Sequence, residues 1–128
     1  MPESYEKLVA WQKAMDMVTK IYKATQTFPR EEMYGLTSQL RRAAVSVPSN
    51  IAEGKGRLTL GEYRHFLGQA RGSLLEAATQ IRIAQNLNFL TGTQVSDLLA
   101  TTDETGRVLN GLIASLGAAP AAARVPNS

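Results

Sequence analysis

The chain has no cysteine, a single histidine, one tryptophan and an aromatic content of only 6%. Without cysteine there is no disulfide framework, no thiolate zinc site and no cysteine nucleophile, and a cytoplasmic location fits most simply. With His65 alone, a Ser–His–carboxylate arrangement has nothing at recognisable spacing. Long apolar runs are also missing. The stretch from Ile83 to Ser96 is broken by Gln85, Asn86 and Asn88, and that from Val108 to Ala123 by Asn110, two glycines and Pro120, so neither reads as a membrane span. The opening MPESYEKL carries acids and no apolar core of a secretory signal. No run alternates polar residues with β-formers. These absences leave no expected catalytic residue, cofactor or small-molecule substrate.

What is present is a chain of 128 residues, the length of one domain. A domain of this size buries roughly two thirds of its unfolded surface, enough for a single core without staples. The net charge of +3 is unevenly spread, with +2 falling on residues 30–57 and −1 on residues 91–128. A mildly basic protein of this kind permits an anionic partner without requiring one.

Apolar spacing predicts four helices. Leu8, Trp11, Met15, Val18 and Tyr22 recur at steps of three and four between Lys7 and Gln26, the pattern of one helical face. Pro29 ends that segment and suits the first turn of a following helix, with Glu31 and Glu32 where acids favour a helix N-terminus. The second helix carries Leu36, Leu40, Ala43 or Ala44, Val47 and Ile51 on one face, with Pro48 inside it. Pro48 withholds an N–H from the carbonyl of Ala44 and crowds it, so a kink is expected there, with a stop and restart at Asn50 as the alternative. Gly54 and Gly56 then terminate it.

Thr59 and Glu62 form the pattern of a capping box at the start of the third helix, whose core face is Tyr63, Phe66, Leu67, Ala70, Leu74, Ala77, Ile81 and Ala84. Thr91 and Gln94 offer a second box before Val95, Leu98, Leu99, Thr102, Val108 or Leu109, Leu112 and Leu116. The expected fold is all-α, an antiparallel up-and-down four-helix bundle with a proline-kinked second helix, over residues 1–117. Residues 118–128, with two prolines and no pattern, are expected to be a disordered tail.

The third helix has a second face. Arg64, Arg71, Leu75 and Arg82 nearly align away from the core at 100° per residue, and Gly61, Gly68 and Gly72 lie beside them. Each interior glycine costs about 1 kcal/mol relative to alanine in a helix, and a solvated face gains nothing in return. The alternatives are glycines tolerated by drift without a function, close approach of a helix in the same subunit, or an oligomer interface formed by Gly61, Gly68, Gly72, Leu75 and Arg82.

The segments LVAWQKA (Leu8 to Ala14), FPREEMYGL (Phe28 to Leu36), QLRRAAVSVPSNIAEGKGR (Gln39 to Arg57), EYRHFLGQARGSLLE (Glu62 to Glu76) and RVLNGLIASL (Arg107 to Leu116) resemble the bacterial four-helix-bundle proteins first noted as products of intervening sequences in 23S rRNA genes. The resemblance implies a homopentamer of such bundles with no established enzymatic activity. A more distant likeness is to the accessory protein of diversity-generating retroelements, which implies a basic surface that binds nucleic acid. This chain departs from that branch.

Two chemical motifs are weak. Glu62-x-x-His65 is half of a di-metal bundle motif whose other half is missing, so no metal site is expected. Gly54-Lys55-Gly56 lacks the spacing and the strand of a phosphate loop. The candidate nucleic-acid-binding set is Arg41, Arg42, Lys55, Arg57, Arg64 and Arg71. Repeated around a ring, this modest patch makes a strong field able to hold RNA or DNA through phosphates. The competing expectation is an assembly or adaptor protein in which the same arginines serve subunit contacts only.

Overall fold

The computed structural model of the protein describes residues 4–117, so the expected tail at 118–128 lies outside the described residues. Four long helices carry the fold: α1 (Val9–Thr25), α2 (Leu36–Lys55), α3 (Leu60–Asn86) and α4 (Gly92–Ser115). Single 3-10 turns at Tyr5–Lys7 and Arg30–Glu32 precede α1 and α2, and no strand occurs among the described residues. The fold is an all-α four-helix bundle, and none of its helices is long and apolar enough to cross a membrane.

Helix α1 departs from the expected face. It buries Ala10, Ala14, Met17, Ile21 and Thr25, while Met15 and Tyr22 of the expected row are each 40% exposed. Leu8, Trp11 and Val18 flank the core half-buried, with Tyr5 set edge-on against Trp11 at a ring distance of 5.4 Å. The sequence carries two apolar rows here, and the bundle takes the one with small residues, which lets the helix backbones come closer.

Helix α2 buries the expected row of Leu36, Leu40, Ala43, Ala44, Val47 and Ile51, together with Pro48 and Gly54. The helix is continuous through Pro48, so the stop and restart at Asn50 does not occur. Asn50 instead donates its amide to the Ser46 carbonyl at 2.8 Å and to Ser46 Oγ at 2.9 Å. Ser46 Oγ lies 2.8 Å from Ser73 Oγ on α3, a polar pin between the two helices. At Gly54 the helices meet closely: a Cβ there would lie 2.9 Å from Phe66 Cβ and 3.2 Å from the Tyr63 carbonyl.

Thr59 caps α3 by accepting from the Glu62 N–H at 3.1 Å, and its hydroxyl donates to Glu62 Oε1 at 3.2 Å. The expected reciprocal bond therefore runs side chain to side chain. At Thr91 the box is complete, with Gln94 N–H donating to Thr91 Oγ1 at 3.1 Å and Thr91 N–H to Gln94 Oε1 at 2.8 Å. Asn88, in the left-handed region at φ 61°, turns the chain between α3 and α4.

The helices pack in the cyclic order α1, α2, α3, α4, and the diagonal pairs do not meet. Lys13 pairs with Glu104 at 2.6 Å and Lys20 with Asp97 at 3.3 Å, so numbers rise along α1 as they fall along α4. The same opposed sense holds for α2 with α3, and for α3 with α4, where Arg71 reaches Asn110 while Leu74 lies against Gly106.

Candidate interaction surface

The outer face of α3 is built by its own periodicity. With Leu67, Ala70, Leu74, Ala77 and Ile81 committed to the core, Arg64, Gly68, Arg71, Gly72, Leu75 and Arg82 are turned to solvent. A Cβ added at Gly61, Gly68 or Gly72 would meet nothing within 4 Å. No neighbouring helix of the subunit therefore needs these glycines. Leu75 beside them is 65% exposed, although leucine is among the residues most often fully buried.

Between α3 and α4 this face opens into a groove of about 700 Å³. Leu74, Leu75, Ala78 and Leu99 contribute apolar surface, and Arg71, Arg82 and Arg107 supply cations. Gly106 shapes it from α4, where a Cβ would lie 3.3 Å from Leu74 Cδ2. Arg107 is paired with Asp103, the acid of this groove, and Arg71 donates to Asn110 Oδ1 at 3.3 Å.

The six cations expected to act together are spread from α2 to α3, with Arg41 and Arg42 sharing one concavity. Arg41 donates through Nε to Thr25 Oγ1 at 2.8 Å and through Nη2 to the Tyr22 carbonyl at 3.4 Å, with its guanidinium 4.5 Å from the centre of the Tyr22 ring. It clasps the last turn of α1, where the helix dipole favours a cation. Arg42, the next residue, is exposed beside Ser38 and Val45 in a shallow concavity. Lys55 lies about 21 Å further along α2 than Arg41 at 1.5 Å per residue, above the Tyr63 ring. Arg57 pairs with Glu53 at 2.9 Å and sits 4.5 Å over the Phe66 ring. Arg64 donates to the Gly117 carbonyl at 2.6 Å, and Arg71 reaches across to Asn110 on α4.

His65 Nε2 lies 2.9 Å from Gln69 Nε2, and Glu62 is held in the cap of α3. Among the described residues no group of three or more His, Asp or Glu is placed to hold a metal ion. Burial pushes the Tyr63 phenol up from its ordinary pKa, so the ring under Lys55 stays neutral well above physiological pH.

A model of the 23S rRNA-intervening sequence protein family matches residues 6–111. The chain belongs to that family. The match takes in α1, α2 and α3 whole and most of α4, so the α3 face and its groove lie within the family domain. No curated protein matches the sequence. The fold is similar to the crystal structure of a protein of unknown function from the S23 ribosomal protein family of Bacteroides thetaiotaomicron, with a TM-score of 0.74 at 18% identity over 82% of this chain and 98% of that one.

The α3–α4 groove was not singled out by sequence reasoning, because it exists only once both helices are placed. At the turn before α2, Met33 is 53% and Tyr34 92% exposed, so a tyrosine that sequence reasoning assigns to the core or to an interface stands outside the core of the subunit.

Proposed function

We propose that this protein works by association, as a cytoplasmic homo-oligomer built on the outer face of α3, and carries out no reaction of its own. The observation that carries the reading is the set of glycines facing open space beside an exposed Leu75. A lone subunit loses about 1 kcal/mol at each such glycine without compensation, whereas a second subunit approaching closely recovers it in packing. The resemblance to pentameric bundles gives the expected number of copies. The cations support assembly over a phosphate surface, because Arg41, Arg57, Arg64 and Arg71 are engaged within the subunit.

The test is the mass in solution by light scattering. The parent chain should have a mass several times that of one subunit, and Gly68→Leu with Gly72→Leu should lower it. Open space at both positions means the variant subunit still folds. A monomeric parent would overturn the proposal.

A second reading comes from the concavity of about 400 Å³ where Arg41 and Arg42 meet Tyr22 and Ser38. Multiplied around a ring, Arg42 and its neighbours would hold RNA or DNA by phosphate contacts, with affinity falling steeply as salt rises. Absence of binding at low salt removes this reading and leaves assembly standing.

A further inference from the structure

We infer that the contact between copies is head-to-tail: the Glu31–Met33–Tyr34 turn of one subunit seats in the α3–α4 groove of the next. This rests on the reading of the protein as a homo-oligomer. Charge decides against the simplest alternative. A two-fold contact would lay the α3 face on itself and bring Arg64, Arg71 and Arg82 of both copies together, while the one acid of the groove, Asp103, is already paired with Arg107. Like charges placed opposite each other in an interface are costly. The complementary surface must therefore lie elsewhere on the chain and join acid to apolar area.

The turn before α2 has that chemistry. Tyr34 is the most exposed aromatic ring among the described residues, Met33 is half out of the core, and Arg30 with Glu31 and Glu32 gives the turn a net charge of −1. Tyrosine and methionine are enriched at the centres of protein interfaces. The turn is also fixed in shape. Glu32 N–H donates to the Pro29 carbonyl at 2.9 Å, Gly35 N–H to the Glu32 carbonyl at 2.9 Å, and Glu32 Oε1 accepts from the Leu36 N–H at 3.0 Å. A preformed knob loses little freedom on docking.

Its position excludes an internal partner. Met33 borders the concavity formed by α1 and α2, whereas the groove lies between α3 and α4 on the opposite side of the bundle. Knob and groove thus cannot meet within one subunit. Copies joined in this way are related head-to-tail, and such a contact closes into a ring when its rotation allows. In the groove, Leu75 and Leu99 would cover the Tyr34 ring, with Glu31 facing the cations of Arg82 and Arg107.

The absence of cysteine makes the contact directly testable. In the double variant Tyr34→Cys with Leu75→Cys, oxidation should produce a ladder of disulfide-linked subunits that collapses with reductant, because the two sites lie on opposite sides of a subunit. Tyr34→Cys alone and Leu75→Cys alone should give no ladder. Arg82→Glu should lower the solution mass, and adding Glu31→Arg should restore it. A multimeric mass with no ladder, or self-linking of Leu75→Cys alone, overturns the head-to-tail contact and leaves oligomerisation intact. A monomeric mass overturns both.

Discussion

A methyl group on Gly54 would press into Phe66 and the Tyr63 backbone, and backbone atoms cannot move aside as a flexible side-chain end can. Gly54→Ala is accordingly expected to lower stability by about 1–3 kcal/mol, the usual cost of overpacking, measured by urea unfolding. The same methyl at Gly68 meets open space and should stabilise the isolated subunit by about 1 kcal/mol through helix propensity. Two adjacent arginines also separate at this scale. Arg41→Met removes a guanidinium held by Thr25 and Tyr22 and should cost about 1.5–3 kcal/mol, in line with hydrogen bonds to charged groups. Arg42→Met, at an exposed position, should stay within about 0.5 kcal/mol of the parent. Equal losses from both would refute the clasp at Arg41.

Among the elements, α4 depends most visibly on its cap, since Thr91 and Gln94 satisfy each other's backbone N–H groups. Thr91→Ala should therefore cost about 1 kcal/mol, read from the unfolding midpoint at unchanged m-value. That cap was legible because its partners lie three residues apart and need no tertiary context. The face of α2 was legible for a related reason: one row of leucine, valine and isoleucine has no apolar competitor. In α1 two apolar rows compete, and the weight of Trp11, Met15 and Tyr22 favours the wrong one until Ala10 and Ala14 are seen to be where a neighbour comes close. The glycine face of α3 could be read from spacing alone. What Tyr34 and most of the cations do could not, because Arg41 and Arg64 find their partners only through tertiary placement, whereas the Arg57–Glu53 pair is local, four residues apart.

At the scale of the whole molecule, α1 and α4 are joined across the longest separation in sequence by Lys13–Glu104 and Lys20–Asp97. Lys13, by its hydrogen bond and its charge, holds the Glu104 carboxyl below the ordinary carboxylate range, and Glu104 raises the Lys13 ammonium in turn. Because Glu104 has its lower pKa in the folded state, its contribution is present above the ordinary carboxylate range and fades as pH falls through the depressed value. The share of Lys13 is present at neutral pH and fades only as pH rises through its raised value. Both groups are exposed, so the effect is small. Denaturant unfolding of the parent and of Glu104→Gln should differ most near neutral pH and converge in acid; a difference that persists in acid would count against the pair.

The closest helix pair has a dynamic consequence. Helices α2 and α3 share the most extensive contact of the bundle, interlocked at Gly54 and pinned through Ser46 and Ser73, while the α1–α4 seam is bordered by solvated ion pairs. Opening events should then begin where water already reaches. Amide protons near the middle of α2 and α3 will be the last to exchange with deuterium, and those of α1 and α4 will exchange sooner, as helices that can part along their seam while the α2–α3 hairpin stays closed.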